Sequence, residues 1–136
     1  MAFKTINGDY HLNWVAGDTE VIRLNVKDEL GNVLDVGEDY NCTIGIKRAI
    51  ADEEFIIPEK QAVMSTYHAT NNPISIEFTF TPDETVALLN YNGKDRRKLV
   101  CVFDMELERT TLYNESTTTI LTGSITITRS ISGRVV

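Results

Sequence analysis

The sequence is poor in the residues that carry chemistry. Its 2 cysteines and 2 histidines are too few and too scattered for a zinc set, which needs paired ligands at short spacing, or for a disulfide framework. With 3 prolines and 8 glycines it is neither a linker nor a collagen-like chain. It is also short of positive charge, since 13 basic against 20 acidic side chains leave a net −7. That argues against binding nucleic acid, where affinity comes from Lys and Arg neutralising phosphates, and against docking on an anionic membrane. No stretch approaches the roughly 18 apolar residues that span a bilayer. Met1 through Asp9 contain no apolar run of signal-peptide length, so the expectation is a product made and kept in a cytoplasm until some assembly step. Gly-x-Ser-x-Gly elbows and glycine-rich phosphate loops are missing, and no cofactor is expected.

Helix formers are scarce as well: alanine occurs 7 times, against 13 Ile, 11 Val and 16 Thr. Branched side chains lose rotamer freedom in a helix and pack well on a pleated surface, so the chain reads as all-β. Its length suits one domain, residues 1–136, with a core over about 10–131 and a short C-terminal tail, Ile131–Val136, that is flexible or docks on a neighbour.

Alternation of apolar and polar residues marks the strands. In 20–27, Ile22, Leu24 and Val26 share one face, and Gly31 in the following turn supplies a positive φ. A short strand is expected at Val33–Val36 and a first strand at 10–15. Over 40–48, Tyr40, Cys42, Ile44 and Ile46 point inward; over 74–80, Ile74, Ile76, Phe78 and Phe80 do so. Residues 98–107 place Leu99, Cys101, Phe103, Met105 and Leu107 inward. Their outward face starts apolar (Val100, Val102) and turns acidic (Asp104, Glu106), which suggests a second covering partner near its start. Residues 119–128 close the set with Leu121, Gly123, Ile125 and Ile127 inward.

Thr81-Pro82-Asp83-Glu84 is a capping box with proline at the first helical position, so a short helix near 82–89 should connect two strands on opposite edges. Phe55-Ile56-Ile57 reads as a short strand and 61–73 as a polar loop. Seven to eight strands with one brief helix imply an antiparallel, immunoglobulin-like β-sandwich.

Each residue that could carry chemistry has a plainer reading beside it. His11 sits beside a strand and His68 in a loop, both more simply solvent-facing. Cys42 and Cys101 read as small hydrophobes, with a cross-sheet disulfide as the alternative. Asp52-Glu53-Glu54 lacks the spacing of a calcium loop. The sequons at Asn41 and Asn114 carry little without a secretory signal. Asp104 and Glu106 lie two apart on one strand face, about 7 Å by strand geometry, a separation that acid–base hydrolysis of a glycoside can use. A solvated or partner-facing surface is the plainer reading. Lys94-Asp95-Arg96-Arg97-Lys98 is the one basic cluster, expected to be a solvated turn or a contact to an acidic patch on a neighbouring subunit.

Four stretches, in order, resemble a known family. They are Gly17-Asp18-Thr19 leading into Val21–Lys27; Asp28 through Gly31-Asn32-Val33-Leu34-Asp35; Ile74–Phe80 followed by Thr81-Pro82-Asp83-Glu84-Thr85; and Phe103-Asp104-Met105-Glu106 with Gly123-Ser124-Ile125-Thr126-Ile127-Thr128. Together they resemble the immunoglobulin-like domain of tailed-phage and prophage virion proteins, as in the N-terminal domain of baseplate upper proteins. Those proteins continue into a long C-terminal region that this sequence lacks. The resemblance implies a non-enzymatic tail or baseplate component, located in the virion. Its partners would be other virion proteins, in a homo-oligomer or ring. Contacts are expected at the loops 92–97 and 65–73, with Lys94, Arg96, Arg97, Tyr67, Tyr91 and Tyr113 as candidates, since loops on a rigid frame carry function. The alternative is a carbohydrate-binding module that stacks a glycan on Tyr67, Tyr91 and Tyr113. A hydrolase built on Asp104 and Glu106 would require a cleft around that pair.

Overall fold

The computed structural model describes residues 6–27, 30–33, 40–66, 68, 70, 73–93, 96–109 and 117–130. Among the described residues the strands are β1 (Ile6–Val15), β2 (Glu20–Leu24), β3 (Tyr40–Lys47), β4 (Lys60–Gln61), β5 (Val63–Met64), β6 (Ile76–Phe80), β7 (Lys98–Arg109) and β8 (Thr117–Thr128), with one α-helix, α1 (Pro82–Leu89). They make two sheets. The larger has the order β1-β8-β7-β3-β4 and the smaller β2-β6-β5. One core lies between them, with Cys42, Ile44, Ile46, Leu99, Cys101, Met105, Ile125 and Ile127 from the larger sheet and Ile76, Phe78 and Phe80 from the smaller. Trp14 of β1 meets Phe80 of β6 with ring centroids 4.8 Å apart, a tilted aromatic pair that adds to the burial of both rings. Among the described residues no helix is long and apolar enough to cross a membrane.

The inward sets of β3, β6 and β7 are as the alternation requires, because a side-chain period of two fixes the face once one residue is buried. Several expectations need correction. The sheets are not wholly antiparallel: β1 runs parallel to β8, with Leu12 opposite Ile125 and Trp14 opposite Ile127. Alternation fixes a strand's face but not its partner or direction. Gly123 permits the pairing, since a Cβ there would overlap the Tyr10 carbonyl oxygen. β2 ends at Leu24, and beyond it Val26 is buried while Lys27 makes an isolated bridge to Val33. Val33 is the one residue of the expected 33–36 strand inside the described set. Phe55-Ile56-Ile57 is not a strand, although the Ile56 N–H donates to the Ile46 carbonyl. The short strands β4 and β5 lie in and beside the segment expected to be loop. A register shift between Met105 and Glu106 buries both Ile120 and Leu121 of β8, which strict alternation forbids.

The helix falls where the capping box places it. Thr81 Oγ1 accepts from the Glu84 N–H at 3.2 Å, and Glu84 Oε1 accepts from the Thr81 N–H at 3.0 Å. It joins the central strand of the smaller sheet to a central strand of the larger, rather than two edges. Its Leu88 and Leu89 are fully buried in the core.

Buried Thr85 ties this helix to the turn before β2. Its hydroxyl accepts from the Gly17 N–H at 3.0 Å and faces the Asp18 and Pro82 carbonyls, each at 3.0 Å. A second polar tie holds β6. The Asn25 carboxamide oxygen accepts from both the N–H and the hydroxyl of buried Ser75, and its amide donates to the Pro73 carbonyl. Buried polar groups cost free energy unless satisfied, and both sets are.

Candidate functional site

The candidate site lies on the outward face of the larger sheet. A groove of about 440 Å³ is floored by β3, β7 and β8 and walled by the segment after β3. Gly45 sits in the middle of β3, and a Cβ there would collide with the Phe55 ring. The missing side chain is therefore the seat for Phe55, which folds back over the sheet with Lys47 Nζ 5.0 Å from its ring centroid. Cation–π contact holds such a ring in place without burying it fully. Ile50 stands beside it, 85% exposed. Asp52 closes the intervening turn by accepting from the Ala49 N–H at 3.1 Å, so that acidic run serves the turn, and Glu53 and Glu54 face solvent.

Along β7 the outward residues change character from end to end. Lys98 is followed by Val100 and Val102, then by Asp104, Glu106 and Glu108. Arg48 adds to the basic end by donating to the Val100 carbonyl at 2.6 Å. Glu59 adds to the acidic end, where Thr43, Glu59, Gln61, Glu106 and Glu108 line a second hollow. Burial, and then the neighbouring Asp104, Glu59 and Glu108 carboxylates, push the Glu106 carboxyl above its ordinary range. Groups of the same charge on one face disfavour the ionised form. Asp104 and Glu106 thus do sit in a groove, so the cleft that a hydrolase reading requires is present. The crowd of carboxylates around them differs from an isolated acid–base pair. Among the described residues no group of three His, Cys, Asp or Glu is arranged to hold a metal ion.

The other sequence candidates are spread over the molecule. Arg96 is occupied at the helix end. Its guanidinium donates to the Leu89 carbonyl at 3.4 Å and to the Tyr91 carbonyl, and lies 5.8 Å from the Tyr91 ring. A cation at the last turn of a helix satisfies carbonyls the helix leaves open. Tyr91 is half-buried against the core, which takes away much of its value as a stacking platform. Arg97 and Lys98 are exposed. Lys94, Tyr67, Tyr113, Asn114 and the tail 131–136 lie outside the described residues.

Cys42 and Cys101 are both buried free thiols. Cys42 pairs with Leu107 of β7, six positions from Cys101, or about 20 Å along a strand, so no disulfide joins them. Burial pushes each thiol up to about 12. His11 on β1 has Nδ1 2.6 Å from Ser124 Oγ and Nε2 3.0 Å from Thr126 Oγ1. Two hydroxyls take both ring nitrogens, so no carboxylate orients the ring as a serine–histidine nucleophile requires. His68 Nδ1 accepts from the Thr70 N–H within its own loop.

Phe55, Ile50 and Glu59 were not legible as site residues. The available signal was Gly45, because a glycine inside a strand marks a bulge or a close approach. The sequence matches no family model and no curated protein.

Proposed function

We propose that the chain is a non-enzymatic component of a phage or prophage tail or baseplate, an immunoglobulin-like sandwich that makes subunit–subunit contacts in the virion. The observation that carries this reading is the junction at Thr85. Gly17-Asp18-Thr19 and Thr81-Pro82-Asp83-Glu84-Thr85, two of the stretches on which the resemblance rests, are 67 and 68 residues apart at their hydrogen bonds and meet through one buried hydroxyl. Motifs that depend on each other for a buried polar contact form one unit, which makes their joint occurrence more telling than either alone. The strand order supports the same reading: β2-β6-β5 in one sheet and β8-β7-β3-β4 in the other follow the B-E-D and G-F-C-C′ orders of immunoglobulin-like sandwiches.

The test is mass spectrometry of tailed particles purified from a lysate of the source strain. The chain is expected at a fixed ratio to the tail proteins. Its absence from intact particles, with the chain abundant in the soluble fraction, overturns the reading.

The groove supports a second reading, a carbohydrate-binding module. Phe55 offers a partly exposed ring, and Asp104 and Glu106 offer acceptors for sugar hydroxyls. Aromatic stacking with a few polar groups fixes small ligands in such sites. Binding on a glycan array that Phe55→Ala abolishes would favour this alternative.

A further inference from the structure

We infer that the outward face of the larger sheet is a two-fold interface that pairs this chain with a second copy of itself. The face is polar in the electrical sense. Lys98 and Arg48 lie at one end of β7, with exposed Arg97 just before the strand, while Glu106 and Glu108 lie at the other end, joined by Glu59. Between them Val100 and Val102, with Phe55 and Ile50, form an apolar belt bordered by Lys47 on β3 and by Ser124 and Thr126 on β8. Val100, Phe55 and Ile50 are three of the exposed large hydrophobics of the described surface, and they are gathered here.

Such a pattern is complementary to itself in one orientation only. A two-fold axis lying in the face and crossing β7 at the belt reverses the strand direction. It brings the basic end of each copy onto the acidic end of the other and lays belt on belt. An axis along the strands would put like charges together. A two-fold contact uses the same patch on both partners, so the contact of basic end on acidic end forms twice. Ten steps along β7 at ~3.3 Å, across four strands at ~4.8 Å spacing, give a face of roughly 600 Å² per copy, near the low end of stable interfaces. Charged rims of this kind govern register and orientation more than raw affinity, so a reversible, salt-sensitive dimer is expected. The pairing does not depend on the virion reading, because two copies would associate in solution wherever the protein works.

The experiment is sedimentation equilibrium of the full chain over a wide concentration range, at low and high salt. Two exposed-charge variants accompany it: Arg97→Glu with Lys98→Glu, and Glu106→Lys with Glu108→Lys. Wild type should reach the mass of two chains and no higher, with weaker association in high salt. Each variant alone should associate at least tenfold more weakly, and an equimolar mixture of the two should regain pairing close to wild type. Thermal unfolding confirms that each variant is folded, and Val100→Glu, which places a charge in the belt, provides a third disruption. A wild type that stays monomeric throughout overturns the inference. So do growth beyond two chains, failure of the mixture to recover, and a monomer that binds a glycan or basic peptide in the groove.

Discussion

The two sheets turn different surfaces to the outside. On the smaller sheet, charge is cancelled where it stands. Arg23 of β2 lies directly opposite Glu77 of β6, and the two form an ion pair at 2.9 Å. On the larger sheet, charge is sorted by sign along the outward positions of β7 from Lys98 to Glu108, with Val100 and Val102 between the two ends. Opposite charges across a strand pair stabilise it, and like charges on one face work against it. On the smaller sheet the cross-strand charges pair, whereas on the larger one carboxylates gather around Glu106 at one end of the face. In the two-fold pairing proposed above, the smaller sheet and helix are the clamp and the larger sheet is the display.

The sharpest way to break this division is from inside. Phe78, fully buried at the centre of the smaller sheet, supports the inner face of the larger one. Phe78→Ala should cost about 3–5 kcal/mol in denaturant unfolding and disorganise both outward faces together. A loss below about 1 kcal/mol would mean that the sheets do not share a core.

Thr85→Val tests the clamp alone. It keeps the shape but leaves the Gly17 N–H without its acceptor, and an unsatisfied buried donor costs about 1–3 kcal/mol. The larger sheet's charge pattern should be untouched, so self-association per folded molecule should not change.

Two carboxylates should respond to acid in opposite senses. Burial alone would raise the Glu84 carboxyl, but the Thr81 N–H and the Lys60 ammonium, 2.9 Å away, hold it below its ordinary range. Its contribution is present above the unfolded value of about 4.5 and is lost as pH falls through the lower folded value. Glu106 is raised, so its cost to stability is present at neutral pH and disappears as pH falls through the folded value toward 4.5. In unfolding curves from pH 7 to 3, Glu84→Gln should be less stable than wild type at pH 7 and Glu106→Gln more stable, with both differences closing in acid. Equal signs at pH 7 would contradict the contrast.

The smallest effect belongs to the exposed pair. Arg23→Ala should change stability by less than about 1 kcal/mol and should leave self-association unaltered.

Most of the frame was legible in the sequence because burial on one side imposes a rhythm of two. That rhythm located β2, β3, β6, β7 and β8, and the capping box at Thr81 located α1. What escaped has physical reasons. Pairing is a property of two segments, so nothing within 10–15 says that β1 runs parallel to β8. Two-residue strands such as β4 and β5 are too short to show a period. Phe55-Ile56-Ile57 is apolar without alternation, and it is divided between two environments: Ile57 is buried and Phe55 lies outside on Gly45. The charge gradient of β7 was visible as a sequence, but the turn and Glu59 that complete the site reach it only through the fold. The basic cluster read as one surface loop is divided too, since Arg96 belongs to the helix end, Lys98 to the outward face of β7, and Arg97 is exposed just before that strand.

Hydroxyl-radical footprinting of side chains, at concentrations below and above the onset of association, tests this division most directly. Ile50, Phe55 and Val100 on the larger sheet should lose reactivity as concentration rises, while Val21 and Val63 on the smaller sheet keep theirs. Protection of Val21 and Val63 instead, or no protection on either face in a sample that has associated, would contradict the assignment of display and clamp.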